Sequence, residues 1–505
     1  MRERAREWRR RAAGADRGGL ALGALCVLYV IAYAALYPPT YSIMDEQGYL
    51  AYARVLTQGT LHPDVAGVRV LRTRLYEETA HSAPSFPVGT SALLALAYPL
   101  GWRAAFAVVM GLHLIGTGLC AWALRRLGLP VLGAALYLLH PVAVLYARTA
   151  MSDVPTMTLC MAAVAAWVGS RPRPGWAGLA LGASLLFRYA QLVYLAAFGV
   201  AVLLRDLRGP HQGWRRWRGS LWFGLGALPG VLALLLLNLQ LYGGALPPGQ
   251  GSLALEHLPT NLPRYLVSQN LIYPAALILG MLARSPLRLE CALVGAATLL
   301  LYGCFFHAYQ GFGLLQQMLI GDRFFLPLAA LLIPAYAWHL QGIAARLPDR
   351  WRSLALAGGL AALLTVALAG SVVHQRRLQA QATVQDAIYA RTPERAFVLC
   401  GSLTGYEYFF EELGPRSPLL WFWIDPEHPE HAPDLAEAVD RSIAEGVFLL
   451  TASRTDRVDR DARSDRRMLR WARQRYVLRL VEEIERPPDR IALYRIVARE
   501  APGPR

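Results

Sequence analysis

The stretch PPTYSIMDEQGYLAYARVLTQGTLHPD, residues 38–64, follows directly on the first apolar run of the chain and opens a long polar loop. It carries two adjacent acids, Asp45 and Glu46, and many more apolar runs follow it. A chain that lies mostly in lipid has few places for aqueous chemistry, and a polar loop held between helices is the first of them. This loop is therefore the first candidate location for a functional site.

The composition is that of a membrane protein. Apolar residues occupy 55% of the 505 positions and charged residues 17%, against roughly 25% charged in an average soluble domain. All 51 basic residues are arginine, and the formal net charge is +16. Such a charge suits nucleic acid or anionic lipid, but the arginines cluster between apolar runs, as membrane topology signals do. We therefore expect membrane lipids as partners and no nucleic acid.

Eleven apolar runs are candidate transmembrane helices, since about 20 residues span the hydrocarbon core. They are residues 18–37, 104–124, 131–146, 154–169, 175–187, 192–204, 221–241, 266–282, 289–306, 324–343 and 353–373. With these crossings the basic junctions all fall on the side of residues 1–17, which places the N-terminus in the cytoplasm and the acid pair outside. A cleaved signal peptide is the alternative for the first run, but its length favours an uncleaved anchor.

Two apolar regions do not have the length and flanking charges of a single transmembrane helix. Residues 86–100 are too few to cross and would reverse the charge pattern if they did, so we predict an interfacial helix within a first external loop of residues 38–102. Residues 175–204 are too long for one helix and have basic flanks at both ends. They predict a hairpin of two short helices that turns outside near Arg188.

The composition changes after residue 373. A polar helix is predicted for residues 375–391, and strand-like runs at 397–400, 419–424, 447–451, 476–482 and 490–497 then alternate with helical patterns at 434–444 and 461–473. That alternation predicts a small α/β domain over residues 374–505. The predicted fold is a polytopic α-helical membrane protein of about 11 transmembrane helices, residues 18–373, with this domain on the extracytoplasmic side.

Asp45 and Glu46 are the leading catalytic candidates. On a helix, Asp45 shares one face with Tyr49 and Tyr52, which gives an acid beside two aromatic hydroxyls and suits a sugar or hydroxyl substrate. The alternative is structural, because Ser42 as N-cap with Asp45 at the third helical position fits a capping box. Capping explains one acid at that position but not the tyrosine face, so we favour catalysis.

Asp153 is the second acidic candidate, in the sequence YARTAMSDVP at the outer mouth between two predicted spans. By itself it is better explained as part of a helix start, with Ser152 or Asp153 as the cap and Pro155 in the first turn.

Three arginines, Arg148, Arg188 and Arg323, lie at predicted outer boundaries, where the charge rule gives no reason for them. A guanidinium there can hold two oxygens of a lipid phosphate, while interfacial anchoring or pairing with an acid is an equal alternative. His62 and His81 lie in the first loop, but two isolated histidines more often pack or bind water than ligate a metal. We assign no metal site from these residues, and the sequence leaves open whether a divalent metal ion serves as a cofactor.

Several motifs together resemble the GT-C superfamily of membrane glycosyltransferases, with the protein O-mannosyltransferases and lipid A aminoarabinose transferases as the nearest pattern. They are MDEQGYLAYARVLTQG at 44–59, HSAPSFPVGTSALLALAYPLG at 81–101, ARTAMSDVP at 147–155, GLALGASLLFR at 178–188, YGGALPPGQG at 242–251 and GDRFFLPLAALLIP at 321–334. Each motif is weak, but their order and placement over residues 1–373 are fairly specific.

The resemblance implies an enzyme of a bacterial inner membrane that takes a sugar from a polyprenyl-phosphate carrier. The sugar would pass with inversion to a glycan, lipid or protein acceptor on the extracytoplasmic face. The family's catalytic acid corresponds to Asp45, its second acid to Asp153, and the arginine that approaches the carrier phosphate to Arg323. We add Tyr49, Tyr52 and His81 as candidate substrate-binding residues. A transporter or a non-catalytic protein that binds polyprenyl-linked glycans is the alternative. Transporters often carry midplane charges and repeats, which the sequence lacks.

Overall fold

The structure is a computed structural model. It describes residues 2–61, 86–209, 213–245, 253–305, 321–394, 396–401, 417–420, 435–454, 460–486 and 489–499, together with Met318, Tyr408 and Leu413. The chain divides into two compact units. The first comprises Met1–Tyr37 with Ser85–His374, and the second comprises Pro38–Pro84 with Gln375–Arg505.

Helices dominate the described part of the chain. They are α1 (Arg2–Ala35), α2 (Met44–Thr57), α3 (Val88–Ala95), α4 (Ala104–Arg126), α5 (Ala135–Leu138), α6 (Pro141–Tyr146), α7 (Asp153–Trp167), α8 (Pro174–Ser184), α9 (Gln191–Arg208), α10 (Arg218–Tyr242), α11 (Leu258–Ile272), α12 (Ala276–Leu282), α13 (Arg288–Gly303), α14 (Leu326–Ala344), α15 (Asp349–Arg391), α16 (Leu435–Ser442) and α17 (Arg460–Arg473). The predicted last span and the polar helix after it form one continuous helix, α15.

Five helices among the described residues are long and apolar enough to cross a membrane. They include Arg17–Ala35, Ala104–Arg126, Gly213–Tyr242, Gly321–Ala344 and Asp349–Arg391, and the bent pair α11 and α12 makes a sixth if it counts as one span. The predicted count of about 11 is therefore not confirmed. Some of the remaining apolar runs form helices that are short and buried within the protein, such as α7, in which only Leu159 and Ala162 are not buried.

Two predicted spans are broken by proline. Residues 131–146 form the short helices Val131–Ala134, α5 and α6, with the break before Pro141. Residues 266–282 are split between α11 and α12, which are bent by 99°. Pro274 lies at this break, where it cannot donate a backbone hydrogen bond and excludes Tyr273 from helical geometry. The sequence predicted one span in each region but not these breaks, because an apolar run alone does not show where the backbone turns.

Two glycine pairs allow α8 and α10 to pack backbone to backbone. A Cβ atom on Gly178 would lie 2.0 Å from the carbonyl oxygen of Phe223, and one on Gly226 would lie 2.0 Å from that of Gly175. Gly182 and Gly230 meet one turn further along. Small residues four apart are the usual means of close helix approach in membranes.

The predicted hairpin over residues 175–204 is confirmed as α8 and α9, joined by the turn that contains Arg188. The predicted interfacial segment 86–100 forms α3 and the short 3₁₀ helix Tyr98–Leu100, neither long enough to span. The backbone N–H of Gly89 donates to the carbonyl of Leu186 at 2.7 Å. This short segment therefore packs directly against the turn that carries Arg188.

The second unit contains a five-stranded sheet of order β2-β1-β3-β5-β4, where the strands are β1 (Phe397–Cys400), β2 (Ser417–Leu420), β3 (Val447–Arg454), β4 (Tyr476–Arg486) and β5 (Asp489–Arg499). The strands β2, β1 and β3 are parallel, and β5 lies antiparallel between β3 and β4. Alternate residues face two apolar cores, one around Leu449 with Trp471 of α17 and one around Leu450 with Ile388 of α15. The predicted α/β character is confirmed, with residues 421–424 of the second predicted strand outside the described residues.

Candidate functional site

In the first unit, Asp153, Arg188, Tyr302, Arg323 and Phe324 come together in what we call the arginine–aspartate cluster. Arg188 forms an ion pair with Asp153. Its guanidinium carbon lies 5.1 Å from the centre of the Phe324 ring, and that of Arg323 lies 5.0 Å from the same ring. Two of the residues selected from the sequence, Arg188 and Arg323, thus contact one aromatic side chain, and a third, Asp153, is joined to them through its ion pair with Arg188.

Four separate segments bring these side chains together. Asp153 is the first residue of α7 and is 1% exposed. Arg188 lies in the α8–α9 turn, Arg323 in the 3₁₀ helix Gly321–Phe325 that precedes α14, and Tyr302 near the end of α13. The helix-start explanation of Asp153 accounts for its position in the chain. It does not account for the ion pair that its side chain makes with Arg188.

The 3₁₀ helix that carries Arg323 is fixed from α11. The Ser268 hydroxyl donates to Asp322 Oδ1 at 2.9 Å, and the Tyr265 ring lies 4.7 Å from that of Phe325. Both Asp322 and Arg323 are buried. Buried charges persist only where hydrogen bonds and counter-charges hold them, so this segment is rigidly placed.

Sequence reasoning missed Tyr302 and Phe324. Tyr302 is near enough to Arg188, Asp153 and Arg323 to interact with them electrostatically, and its ring lies 5.1 Å from that of Phe324. No sequence signal distinguishes Tyr302 from a core aromatic of an apolar run. Phe324 follows Arg323 directly, and a cation–aromatic contact between neighbours in the GDRFF motif was the available signal.

Arg148 lies at another place in the first unit. Its side chain is 2% exposed and lines a cavity of about 50 Å³ together with Tyr29, Tyr33 and Ser371. Both tyrosines are near enough to interact with it electrostatically. A role for Arg148 in holding the carrier phosphate stays a prediction.

In the second unit, the acid pair lies at the start of α2, and its two members differ. Helix α2 begins at Met44, so Ile43 is the N-cap and Glu46 is the third helical residue. Oε1 of Glu46 accepts hydrogen bonds from the Ser42 N–H at 2.7 Å, the Ser42 hydroxyl at 2.5 Å and the Ile43 N–H at 3.2 Å. The structural alternative, with Ser42 as N-cap and Asp45 as the capping acid, was wrong by one residue.

This difference separates the roles of the two acids. Glu46 is fully buried, whereas Asp45 is partly exposed. Capping therefore uses Glu46 and does not compete for the carboxylate of Asp45.

The tyrosine face of α2 is buried within the same unit. Tyr49 is 4% exposed and Tyr52 is 6% exposed, and the Tyr52 hydroxyl donates to the carbonyl of Leu61 at 2.7 Å. The Gln381 amide donates to the carbonyl of Tyr41 at 3.0 Å, which ties the start of this segment to α15. A substrate-binding role for Tyr49 and Tyr52 stays a prediction. His62 and His81 lie outside the described residues, among which no group of three or more His, Cys, Asp or Glu could hold a metal ion.

The fold of the chain is similar to that of two crystal structures of ArnT from Cupriavidus metallidurans, which agrees with the predicted resemblance at the level of the fold. The apo crystal structure of ArnT from Cupriavidus metallidurans superposes with a TM-score of 0.58, covering 94% of this chain and 98% of that chain at 14% identity. The structure of ArnT from Cupriavidus metallidurans bound to undecaprenyl phosphate gives 0.56 at 13% identity, with the same coverage. No family model and no curated protein matches the sequence.

Proposed function

We propose that this protein is an inverting glycosyltransferase. It moves a sugar from a polyprenyl-phosphate carrier to an acceptor hydroxyl at the outer face of a bacterial inner membrane. The observation that carries the proposal is the arginine–aspartate cluster, in a chain whose fold matches ArnT over 94% of its length. One of the matching ArnT structures holds undecaprenyl phosphate.

The cluster suits the phosphate of the donor. A guanidinium offers several N–H donors in a planar fork that matches phosphate oxygens. Arg188 is oriented by Asp153, and Arg323 lies over the rings of Tyr146 and Phe324. Fixed cations of this kind stabilise the charge that grows on a leaving phosphate as the bond between the sugar C1 and the phosphate oxygen breaks.

Asp45 is the proposed base. In an inverting transfer the acceptor oxygen attacks C1 and loses its proton, and a carboxylate within hydrogen-bond reach takes that proton. The acid suits this role because Glu46 performs the capping, which leaves the partly exposed Asp45 at the first turn of α2. The phosphate leaves on the carrier with both electrons of the broken bond.

The proposal is tested with membranes that contain the overexpressed protein and supply the acceptor, incubated with a panel of radiolabelled polyprenyl-phosphate sugars. We expect label to move to an acceptor fraction, and Asp45→Asn to slow this transfer on the order of 10² to 10⁴-fold while donor binding is kept. Asp386→Asn is the matched control, because it removes an exposed carboxylate from the same unit. Arg323→Gln should weaken donor binding.

The outcomes separate the proposal from its alternative. Wild-type transfer by Asp45→Asn would remove the proposed base. A wild-type protein that binds the labelled donor but passes label to no acceptor would instead be a binding or transport protein. Sugar and acceptor are read from which labelled donor is consumed and which fraction gains label.

A further inference from the structure

The first unit contains a large basic cleft at the ends of α8, α9 and α10 that are remote from the arginine–aspartate cluster. It has a volume of about 1050 Å³ and is enclosed by the start of α8, the end of α9, the 3₁₀ helix Gly213–Trp217 and the first turns of α10. Arg173 precedes α8 and Arg188 follows it, so the cleft and the cluster lie roughly 20 Å apart along this helix. The cleft is therefore a second site.

Charge in this cleft is strongly unbalanced. It is lined by Arg173, Arg205, Arg215 and Arg218 and by one acid, Asp206. Asp206 is already used, since its Oδ2 accepts from the N–H and the hydroxyl of Ser220 at 2.6 and 2.8 Å.

Arg205 is the only one of these arginines with an acidic partner among the described residues. Its Nε and Nη2 each lie 2.7 Å from a carboxylate oxygen of the buried Glu290, and its guanidinium packs over Trp167. In the described part of the chain no ion pair involves Arg173, Arg215 or Arg218. Three cations thus face the cleft without an acidic partner there.

The rim of the cleft is apolar and aromatic. Trp176, Trp214 and Trp222 are 64%, 69% and 53% exposed, and Leu225 next to them is 58% exposed. Tryptophan is enriched at the level of lipid headgroups, where one side of the ring is wet and the other apolar. A ligand that fills this cleft must carry negative charge for the arginines inside it and an apolar part for the side chains at its rim.

Membrane topology alone does not explain this arrangement. The charge rule requires arginines near helix ends on the cytoplasmic side, but it does not require them to converge on one cleft beside three exposed tryptophans. Arg125, Arg346 and Arg350 serve as a comparison, because they lie at the ends of α4, α14 and α15 and do not line the cleft.

We propose that this cleft binds the phosphate headgroup of an anionic phospholipid, with the acyl chains lying along Trp222 and Leu225. Basic pockets between transmembrane helices on the cytoplasmic side are typical sites for such headgroups. The lipid supplies the negative charge that the described protein residues do not supply to Arg173, Arg215 and Arg218. An occupied cleft also holds the 3₁₀ helix Gly213–Trp217 against α8 and α10.

The test measures binding of phosphatidylglycerol to the purified full-length protein by native mass spectrometry, with phosphatidylcholine as the neutral lipid. The variant Arg173→Gln/Arg215→Gln/Arg218→Gln should bind phosphatidylglycerol on the order of 100-fold more weakly. Arg125→Gln/Arg346→Gln/Arg350→Gln removes the same charge elsewhere and should change binding less than about threefold.

Three results would overturn the proposal. Equal loss in both triple variants would mean that the lipid responds to total charge, and no loss in the cleft variant would mean that the lipid binds elsewhere. Displacement of the lipid by glycerophosphate at equal concentration would mean that the site takes a soluble anion. If the cleft variant does not fold, Arg215→Glu on the exposed 3₁₀ helix replaces it, with an expected loss of roughly tenfold or more.

Discussion

Removing the carboxylate of Asp153 should destabilise the protein more than removing both partners of its ion pair. Asp153 is 1% exposed and Arg188 12% exposed, so Asp153→Ala leaves a guanidinium largely out of water. Breaking one side of a buried pair costs about 3–5 kcal/mol. Because Phe324 and Tyr302 still contact Arg188 in this variant, we expect the lower end of that range, about 3 kcal/mol.

The double variant Asp153→Ala/Arg188→Met completes a double-mutant cycle with the two single variants. It removes the stranded charge and fills the space with an apolar side chain, so it should be more stable than Asp153→Ala, with a coupling of about 2 kcal/mol. Unfolding is followed by tryptophan fluorescence in mixed micelles titrated with a denaturing detergent, for the wild type, both single variants and the double variant. Additive costs, or a loss below about 1 kcal/mol for Asp153→Ala, would show that the pair does not hold the cluster together.

Two further predictions concern packing and pH. Gly226→Ala places a methyl group 2.0 Å from a backbone oxygen of α8 and should cost about 1–3 kcal/mol, whereas Gly224→Ala meets nothing within 4 Å and should stabilise by up to about 1 kcal/mol. Equal thermal midpoints for the two variants would contradict this packing. Burial and the nearby Asp440 raise the pKa of Tyr476 from 10 to about 12. As the pH rises, the unfolded chain therefore loses this proton before the folded protein does. The contribution of Tyr476 to stability is complete below pH 10 and should be lost between pH 10 and 12. The free energy of unfolding should therefore fall more steeply over this range in the wild type than in Tyr476→Phe. Urea titrations at each pH measure the difference, and parallel curves would count against it.

Parts of the fold were predictable because local chemistry decides them. The central strands of the second unit face an apolar core on each side, so they appear in the sequence as short continuous apolar runs. The hairpin at Arg188 was predictable from length and flanking charge. The predicted spans 131–146 and 154–169 are not confirmed, because a helix buried in protein and a helix exposed to lipid are equally apolar, and only tertiary packing distinguishes them.

The sequence predicted those site residues whose position the charge rule for membrane topology does not explain. Arg188 and Arg323 were selected because charged residues at predicted outer boundaries need a reason, and Asp153 because it lies beside such a boundary. Tyr302 was missed because an aromatic residue within an apolar run needs no special explanation. At the acid pair, the pattern correctly predicted a capping acid but assigned it one position early, since caps and helix starts cannot be placed to a single residue from propensity alone.

The geometry of the arginine–aspartate cluster depends on contacts at its far end. Helices α7, α9 and α13 each run roughly 20 Å between two polar groups of residues. Asp153, Arg188 and Tyr302 meet at one end, and Trp167, Arg205 and Glu290 meet at the other, where the Trp167 N–H donates to Glu290 at 2.7 Å. Because a buried carboxylate holds each end, Asp153 at one and Glu290 at the other, α7 cannot slide against α9 without breaking a charged contact at each end. A rigid trio of this kind keeps Arg188 in place, which under the proposed function lowers the ordering cost of binding the donor phosphate.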